Sequence, residues 1–187
     1  MDEEAWVREA QRGDAKAFDR LVDRYQAAAY SVAYRMLRNV EDAADATQDG
    51  FFSAYRAIGT FRGGSFRAWL LRIVLNACYD LRRHAVRRPA RSMDALVEEL
   101  GEAPWADSRA ADPEATALSR ARLAAIERAL ARLPEEQRAA VVLVDVQGLS
   151  YEEAAEAMAC ALGTVRSRLA RGRARVRDLL IESGNLP

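Results

Sequence analysis

The stretch from Gly148 to Arg177 constrains the fold of this chain most, because it predicts two helices separated by a short turn. Ser150 followed by Glu153 forms a capping box, in which each side chain accepts a hydrogen bond from a free backbone N–H at a helix start. The residues from 159 to 163 supply the turn, with Gly163 where helical geometry must break. The apolar residues that follow recur at the spacing of one buried stripe: Val165, Leu169, Val176 and Leu179.

The second of these helices carries six arginines beside its apolar stripe: Arg166, Arg173 and Arg177 on one flank, and Arg168, Arg171 and Arg175 on the other. Small side chains lie opposite the stripe: Ser167, Ala170 and Ala174. Small residues let a helix approach base edges in the major groove, and guanidinium groups reach the phosphates on both walls. An arginine run alone more often marks a solvated face. The capped preceding helix and the short turn favour a DNA-binding helix-turn-helix instead.

The charge balance of the chain conceals this basic end. Its 187 residues include 28 lysines and arginines against 28 aspartates and glutamates, so the formal net charge is zero. The two signs are segregated along the chain, and a phosphate responds to the local potential rather than to the average. A neutral total therefore does not exclude a nucleic-acid partner.

The composition also indicates which classes of protein this chain does not resemble. No apolar run approaches the length that crosses a bilayer, and the acidic start of the chain is unlike a signal peptide, so we expect a cytoplasmic protein without membrane insertion. Cys78 and Cys160 lack the paired spacing of a zinc site. His84, the single histidine, has no nucleophile or metal-ligand constellation around it. We therefore expect no catalytic site, no metal and no cofactor.

The N-terminal half opens with scaffold and an acidic helix. A short helix around Trp6 precedes a long helix that begins at the N-cap Asp14. After a break near Asn39, residues 41–58 form a second long helix with a compact acidic and amide face: Asp42, Asp45, Gln48 and Asp49. Such a face suits a basic protein partner, although the residue types alone favour an ordinary solvated surface.

A glycine loop and an aromatic helix follow. Gly63 and Gly64 predict the loop, and Ser65 caps the helix after it. Aromatic rings near a glycine loop, with Asn76 and several arginines on the same helix, fit a pocket for single-stranded nucleic acid, because unstacked bases need flat surfaces and hydrogen-bonding edges. The alternative is that the aromatic side chains belong to the core, and we expect this for Trp69.

The chain changes character between Pro89 and Glu114, where acidic residues outnumber basic ones and prolines and a glycine lie among them. We expect a linker there, with one weak helical turn around residues 95–100. Four helices follow, the second starting at Pro134 and running from Glu135 to Val146. The expected fold is all-α, with two small helical domains joined by a flexible acidic linker. The expected boundaries are residues 1–90, 91–114 and 115–187.

Three motifs in this order resemble a known family. They are Asp-x-x-Gln-Asp-x-Phe at residues 45–51, Phe-Arg-Gly followed by Phe-x-Ala-Trp-Leu-x-Arg-Ile and an asparagine at 61–76, and Leu-Pro-Glu, Gly-Leu-Ser-Tyr-Glu-Glu-Ala-Ala and Gly-Thr-Val-Arg-Ser-Arg-Leu within 133–169. Together they resemble a bacterial extracytoplasmic-function (ECF) sigma factor of the sigma-70 family, over nearly the whole chain. The resemblance implies a factor that binds core RNA polymerase and directs it to promoter DNA.

The resemblance also implies roles for individual residues. The acidic helix would dock on the polymerase clamp helices through Asp42, Asp45, Gln48 and Asp49. The loop and aromatic helix would capture a flipped base of the minus-ten element and help to open the duplex through Phe61, Arg62, Ser65, Asn76, Arg82 and Arg83. The helix-turn-helix would read the minus-thirty-five element through Thr164, Arg166, Ser167, Arg168, Ala170, Arg171 and Arg175. The acidic linker would run through the polymerase toward the RNA path.

The mode of regulation, the stability of the acidic helix and an alternative function can also be inferred. By family precedent the regulator would be an anti-sigma factor that clamps both domains. Gly50, inside the acidic helix, lowers helix propensity by about 1 kcal/mol relative to alanine, so the helix is expected to be weak there. The alternative function is a stand-alone helix-turn-helix regulator that binds its operator as a dimer with spaced half-sites.

Overall fold

The computed structural model describes residues 3–87 and 113–185, and the secondary structure of these residues is helical. We call the first four helices the N-terminal bundle: α1 (Glu3–Gln11), α2 (Ala15–Leu37), α3 (Val40–Ala57) and α4 (Phe66–Arg87). The other four form the C-terminal bundle: α5 (Pro113–Ala131), α6 (Glu135–Val141), α7 (Tyr151–Ala157) and α8 (Leu162–Glu182). Most of the expected linker, 91–114, lies outside the described residues, and its last two positions begin α5.

Side-chain caps set the starts of the long helices in the N-terminal bundle. Asp14 accepts hydrogen bonds from the backbone N–H groups of Lys16 and Ala17 at 2.9 and 3.3 Å, as the sequence predicted. Asn39 caps α3, and the hydroxyl of Ser65 accepts the N–H of Ala68 at 3.2 Å at the start of α4. The segment between α3 and α4 is therefore a defined loop, which begins with a 3-10 turn at Ile58–Thr60.

Gly50 lies in the contact between α3 and α4. It is buried, and a Cβ atom at this position would lie 2.8 Å from Cγ2 and 3.3 Å from Cα of Val74 on α4. These distances are shorter than ordinary carbon contacts of about 3.5–4.0 Å. The expectation that Gly50 merely weakens its helix was therefore incomplete, since the packing of α3 on α4 requires a residue without a side chain.

The C-terminal bundle contains the predicted capping box. The N–H of Glu153 donates to the Ser150 hydroxyl at 3.1 Å, and the N–H of Ser150 donates to the Glu153 carboxylate at 2.8 Å. The predicted single helix from Glu135 to Val146 instead divides, because the α-helix ends at Val141 and a π-helical turn occupies Val142–Val146. This widened turn ends beside Gln147, which is 7% exposed.

The turn between α7 and α8 differs from its prediction. The left-handed residue is Ala159, with φ of 49°, whereas Gly163 lies inside α8. Gly172 has the packing role on α8, because a Cβ there would lie 2.7 Å from Val141 Cγ2 and 3.2 Å from the Gln137 carbonyl oxygen. The predicted apolar stripe is otherwise confirmed, with Val165, Leu169 and Leu179 buried and Val176 half-buried.

The two bundles pack against each other, which the sequence did not reveal. One buried apolar cluster includes Leu71 of α4 together with Leu143, Leu149 and Val165 of the C-terminal bundle. Buried polar contacts accompany it. Arg138 of α6 donates to the carbonyl oxygen of Met36 at 3.0 Å and to those of Ala131 and Leu133 at 2.7 and 3.0 Å. Burial and nearby arginines lower the pKa of Arg138 to about 10.

A second polar contact joins the bundles at α5. The carboxylate of Glu127 accepts from Arg35 at 2.8 Å and from Arg38 at 2.9 Å, both at the end of α2. The side chains are between 8% and 15% exposed, so this ion triad lies largely out of water. Removing one member of such a buried group leaves an uncompensated charge, which ties the relative position of the bundles to these three residues.

Candidate nucleic-acid interface

The acidic face predicted on α3 is present at the surface. Asp42, Asp45, Gln48 and Asp49 are all exposed. Their spacing of three and four residues places them on one side of the helix, where such residues are neighbours. The N–H of Asp42 is capped by Asn39 at 2.9 Å, and the other three side chains extend the polar face over the next two turns.

Two exposed aromatic residues continue this face, and the sequence interpretation missed them. Phe52 is 58% exposed and Tyr55 is 43% exposed. Both follow Gln48 and Asp49 at helical spacing, so the face is acidic at the start of α3 and aromatic at its end. The exposure of Phe52 was not predictable from sequence, because its neighbour Phe51 faces the core and either ring could have done so.

Three aromatic rings cluster where the loop meets α4, one from the loop and two from the helix. Phe61 lies edge-on to Phe66, with 5.7 Å between ring centroids and 86° between planes, and 5.5 Å from Trp69. Phe66 is buried, whereas Phe61 and Trp69 are half-buried. Trp69 thus packs against the core as predicted, while the cluster keeps a face toward the loop.

The remaining predicted residues of this surface are spread along α4 rather than gathered in one pocket. Asn76 is exposed and lies 11 residues after Ser65, which corresponds to about 16 Å of helix. Arg82 pairs with Glu135 of α6 at 3.5 Å, and Arg83 pairs with Asp80 on its own helix. Arg72 is exposed and shares the side of the helix that carries Ser65 and Asn76. The surface is therefore a track along α4.

Residues of the C-terminal bundle contact the start of this track. Hydrogen bonding to the Ser65 hydroxyl is the main reason that the pKa of Glu153 is lowered. Arg67 donates to the Gln147 side-chain oxygen at 2.9 Å. The start of α4 therefore meets the C-terminal bundle at two points. Ser65 lies beside α7, and Arg67 contacts Gln147, which follows the π-helical turn.

A groove of about 620 Å3 separates the loop from the helix-turn-helix. The N-terminal bundle contributes Phe61, Arg62 and Arg72 to its lining, and the C-terminal bundle contributes Glu156 and Cys160. The groove combines an aromatic wall with guanidinium groups on one side. On the other side it presents a carboxylate and the turn that precedes α8.

The recognition helix predicted at the C-terminal end is α8. Ser167 and Ala170 are exposed, and Thr164 is half-buried at the start of the helix. Arg166, Arg171 and Arg175 are exposed as well, and among the described residues no carboxylate forms an ion pair with them. Arg171 lies back along the helix and donates to the carbonyl oxygen and hydroxyl of Ser167, both at 3.2 Å.

Two other arginines of α8 are held by carboxylates from neighbouring elements. Arg168 pairs with Glu136 of α6, and its side chain is only 20% exposed. Arg173 makes a two-point contact with Asp145 in the π-helical turn, at 3.0 Å through Nε and 2.5 Å through Nη2. The hydrogen bond to Asp145 raises the pKa of Arg173. The sixth, Arg177, pairs with Asp178 on its own helix at 3.5 Å. The carboxylate partners of Arg168 and Arg173 lie outside α8, so the sequence of this helix alone could not reveal them.

Residues 3–87 and 113–185 offer neither a metal site nor a membrane span. In these ranges no three side chains of His, Cys, Asp or Glu come together in a group that could hold a metal ion. No helix in the same ranges has both the length and the apolar character needed to span a bilayer.

Comparisons with known proteins cover both bundles. The family description "Sigma-70 region 2" matches residues 21–88, and "Sigma-70, region 4" matches residues 123–176. The first range contains α3, the loop and α4. The second contains α7 and most of α8.

Relatives and solved structures agree with this match. The chain is 44% identical over 169 residues to the ECF RNA polymerase sigma factor SigM of Mycobacterium tuberculosis, covering 90% of this chain and 79% of the relative. The structure of CnrH in complex with the cytosolic domain of CnrY is similar with a TM-score of 0.71 and 28% identity, covering 97% and 99% of the two chains. The sigma factor RpoE in complex with the anti-sigma factor NepR from Bartonella quintana gives 0.71 and 29%, covering 89% and 98%. The chain therefore belongs to the sigma-70 family, as an ECF sigma factor that binds core RNA polymerase and directs transcription initiation at promoters.

Proposed function

We propose that the two bundles divide the work of initiation, with residues 1–90 binding core polymerase and the minus-ten element, and residues 115–187 binding the minus-thirty-five element. The observation that carries this proposal is that the chain has two separate polar surfaces with different chemistry. One is the α3 face and α4 track, where acidic, aromatic and amide groups are exposed. The other is α8, where small residues and exposed arginines suit a DNA groove.

Core polymerase docks on α3 in this proposal. Asp42, Asp45, Gln48 and Asp49 supply the charge that steers a basic partner, and Phe52 supplies the apolar contact. Interfaces gain specificity and association rate from complementary charge, while buried aromatic anchors supply much of the binding energy. An exposed Phe beside a carboxylate face fits both requirements.

The minus-ten element is captured by the loop and α4. Phe61 and Arg62 of the loop line the groove, and Asn76 lies further along the chain, on α4. A flipped base stacks on aromatic or planar guanidinium groups, and an amide reads hydrogen-bonding edges. Arg82 and Arg83 lie beyond Asn76 and contact phosphates once their present carboxylate partners are exchanged.

Minus-thirty-five recognition uses the exposed residues of α8. Ser167 and Ala170 allow the helix to approach base edges, and Thr164, Arg166, Arg171 and Arg175 surround them. Arg168 and Arg173 act mainly through Glu136 and Asp145, because an arginine already paired with a carboxylate must give up that contact before it binds a phosphate. Of the four arginines that the sequence suggested for the minus-thirty-five element, three keep this role in the proposal: Arg166, Arg171 and Arg175.

Promoter capture also requires a change in the packing of the bundles. Arg67 is bound to Gln147 at 2.9 Å in this structure, and Ser65 lies beside Glu153, so DNA must replace these partners. The structural neighbours CnrH and RpoE were solved in complex with CnrY and NepR, and NepR is an anti-sigma factor. We call the packing of the two bundles on each other the closed arrangement. An anti-sigma factor that stabilises it would control the chain in the cytoplasm, where core polymerase acts. The stand-alone regulator is not favoured, because the matches cover both sigma regions.

The α8 assignment is tested by comparing Arg171→Ala with its matched control Arg173→Ala. The DNA target is a promoter selected from the DNA that the reconstituted holoenzyme binds. Arg171→Ala is expected to weaken binding by about 1–3 kcal/mol if it contacts a base, or to lower the salt slope by about one unit on all sequences if it contacts phosphate. Arg173→Ala should leave both quantities nearly unchanged. An equal loss in the two variants would overturn the assignment.

The α4 assignment is tested with Asn76→Ala. This variant should bind core polymerase like the wild type, because Asn76 belongs to α4 and is not one of the α3 residues proposed to bind core polymerase. Its open-complex yield, measured by the reactivity of unpaired thymines to permanganate, should fall. An unchanged yield would remove Asn76 from the promoter surface.

A further inference from the structure

We propose that Gln11, the last residue of α1, is a positioning residue for the loop from Phe61 to Ser65. Its side-chain amide fixes the backbone at the start of the loop and so holds the Phe61 ring where a flipped base can reach it. The inference rests on the base-capturing role proposed for this loop. Gln11 lies outside residues 21–88, the range matched by the sigma-70 region 2 description.

The contact is a pair of hydrogen bonds from one nitrogen. Nε2 of Gln11 donates to the carbonyl oxygen of Phe61 at 2.9 Å and to that of Ile58 at 3.1 Å. A primary amide carries two N–H donors, so both are used. The Ile58 carbonyl also accepts the backbone N–H of Phe61 at 3.1 Å, which closes the 3-10 turn. Gln11 therefore holds both ends of the turn that leads into the loop.

Fixing the Phe61 carbonyl also fixes the direction of the chain that follows. The peptide unit is planar, so the orientation of its C=O sets the plane from Phe61 to Arg62. The Phe61 ring is held on its other side by Phe66 and Trp69, at centroid distances of 5.7 and 5.5 Å. Backbone and ring are thus constrained by different parts of the N-terminal bundle.

The rest of the loop has a different character. Gly63 and Gly64 adopt φ values of +101° and +89° and are exposed. Ser65 then anchors the far end as the cap of α4. The loop is consequently tied at both ends and adaptable in the middle, and the first of these ties depends on Gln11.

The helix that carries Gln11 is itself held in place. Val7 and Ala10 are buried in the core of the N-terminal bundle. At the other end of α1, Glu3 pairs with Arg24 at 3.3 Å and accepts a hydrogen bond from Tyr25. Because α1 is fixed at both ends, the amide of Gln11 meets the loop from a rigid support. The short first helix, to which the sequence assigned no functional role, thereby acts on the promoter surface.

The test uses the reconstituted holoenzyme and two variants that keep the size of the side chain. Gln11→Met removes the donors, and Gln11→Glu replaces them with carboxylate oxygens. Gln26→Met, on the exposed side of α2, is the matched control. Each protein is titrated with a promoter that is unpaired across the minus-ten element, and with the same promoter carrying an abasic site at one position at a time.

The wild type and Gln26→Met should lose binding sharply when one particular base is removed, by about 5- to 150-fold, the range expected for a stacked base. Gln11→Met and Gln11→Glu should bind the intact promoter more weakly than the wild type does. Removal of that base should weaken their binding by a factor at least five times smaller than the factor for the wild type. If Gln11 had a purely structural role, its replacement would weaken binding to the intact promoter and to the abasic promoter by the same factor. This parallel loss would overturn the proposal. If no base removal affects the wild type, the base-capturing role of the loop fails and the role of Gln11 fails with it.

Discussion

Gln147 of the C-terminal bundle donates its side-chain amide to the hydroxyl of Ser31 in α2, at 2.9 Å. The same glutamine accepts a hydrogen bond from Arg67 of α4 at 2.9 Å, so one buried side chain joins three elements across the contact between the bundles. Buried polar groups are costly when they lose a partner. The closed arrangement therefore depends on a residue outside all three predicted interfaces.

Replacing Gln147 with alanine should lower the free energy of unfolding by about 1–3 kcal/mol, because Ser31 and Arg67 each lose a partner at a buried site. Urea titration followed by circular dichroism measures the change, and Gln26→Ala on the surface of α2 is the control. In a double-mutant cycle with Ser31→Ala, the two losses should be less than additive. Simple additivity would show that the hydrogen bond contributes nothing.

Gly50→Ala should destabilise the protein even though alanine is the better helix former. The added Cβ would lie 2.8 Å from Val74 Cγ2. Overpacking of this kind costs about 1–3 kcal/mol, against a gain of about 1 kcal/mol in helix propensity. Gly163→Ala in α8 is the control, since a Cβ at that position meets nothing within 4 Å and should stabilise the protein. A gain in both variants would contradict the close packing of α3 on α4.

The contact of Glu153 with Ser65 should depend on pH. Hydrogen bonds from the Ser65 hydroxyl and the Ser150 backbone lower the pKa of Glu153 in the folded protein. A carboxylate of this kind stabilises the fold above its unfolded pKa of about 4.3, and this stability is lost as the pH falls through the lower folded value. The difference in unfolding free energy between wild type and Glu153→Gln should be constant from about pH 7 to 5 and shrink below about pH 4. A difference that already closes above pH 6 would refute this.

Local features of the fold could be predicted from the sequence because they depend on neighbouring residues. Asp14 and Ser65 cap their helices, and Ser150 with Glu153 forms the capping box, each within three residues of its partner. Helical spacing likewise placed the acidic residues on one exposed face. The prediction was wrong for the turn before α8, because Ala159 takes the left-handed conformation that the pattern assigned to a glycine.

Contacts between distant parts of the chain could not be predicted in this way. Gln147 and Ser31 are 116 residues apart, and Gln11 and Phe61 are 50 apart. Neither glutamine belongs to a local pattern that indicates a partner. The division of the α8 arginines has the same cause, since Asp145 lies in a different element from Arg173. Residue types indicated the candidate surfaces. The ion pairs and hydrogen bonds that their side chains make with distant residues are visible only in the three-dimensional structure.

The most direct test of the account is run-off transcription from the selected promoter with purified core polymerase and this chain. Transcript is expected only when both are present. Asp45→Ala with Asp49→Ala should remove it by weakening binding to core, and Asp19→Ala with Asp23→Ala, exposed carboxylates on α2, should leave it unchanged. Full transcription by the α3 variant, or tight promoter binding by the chain without core polymerase, would contradict the account.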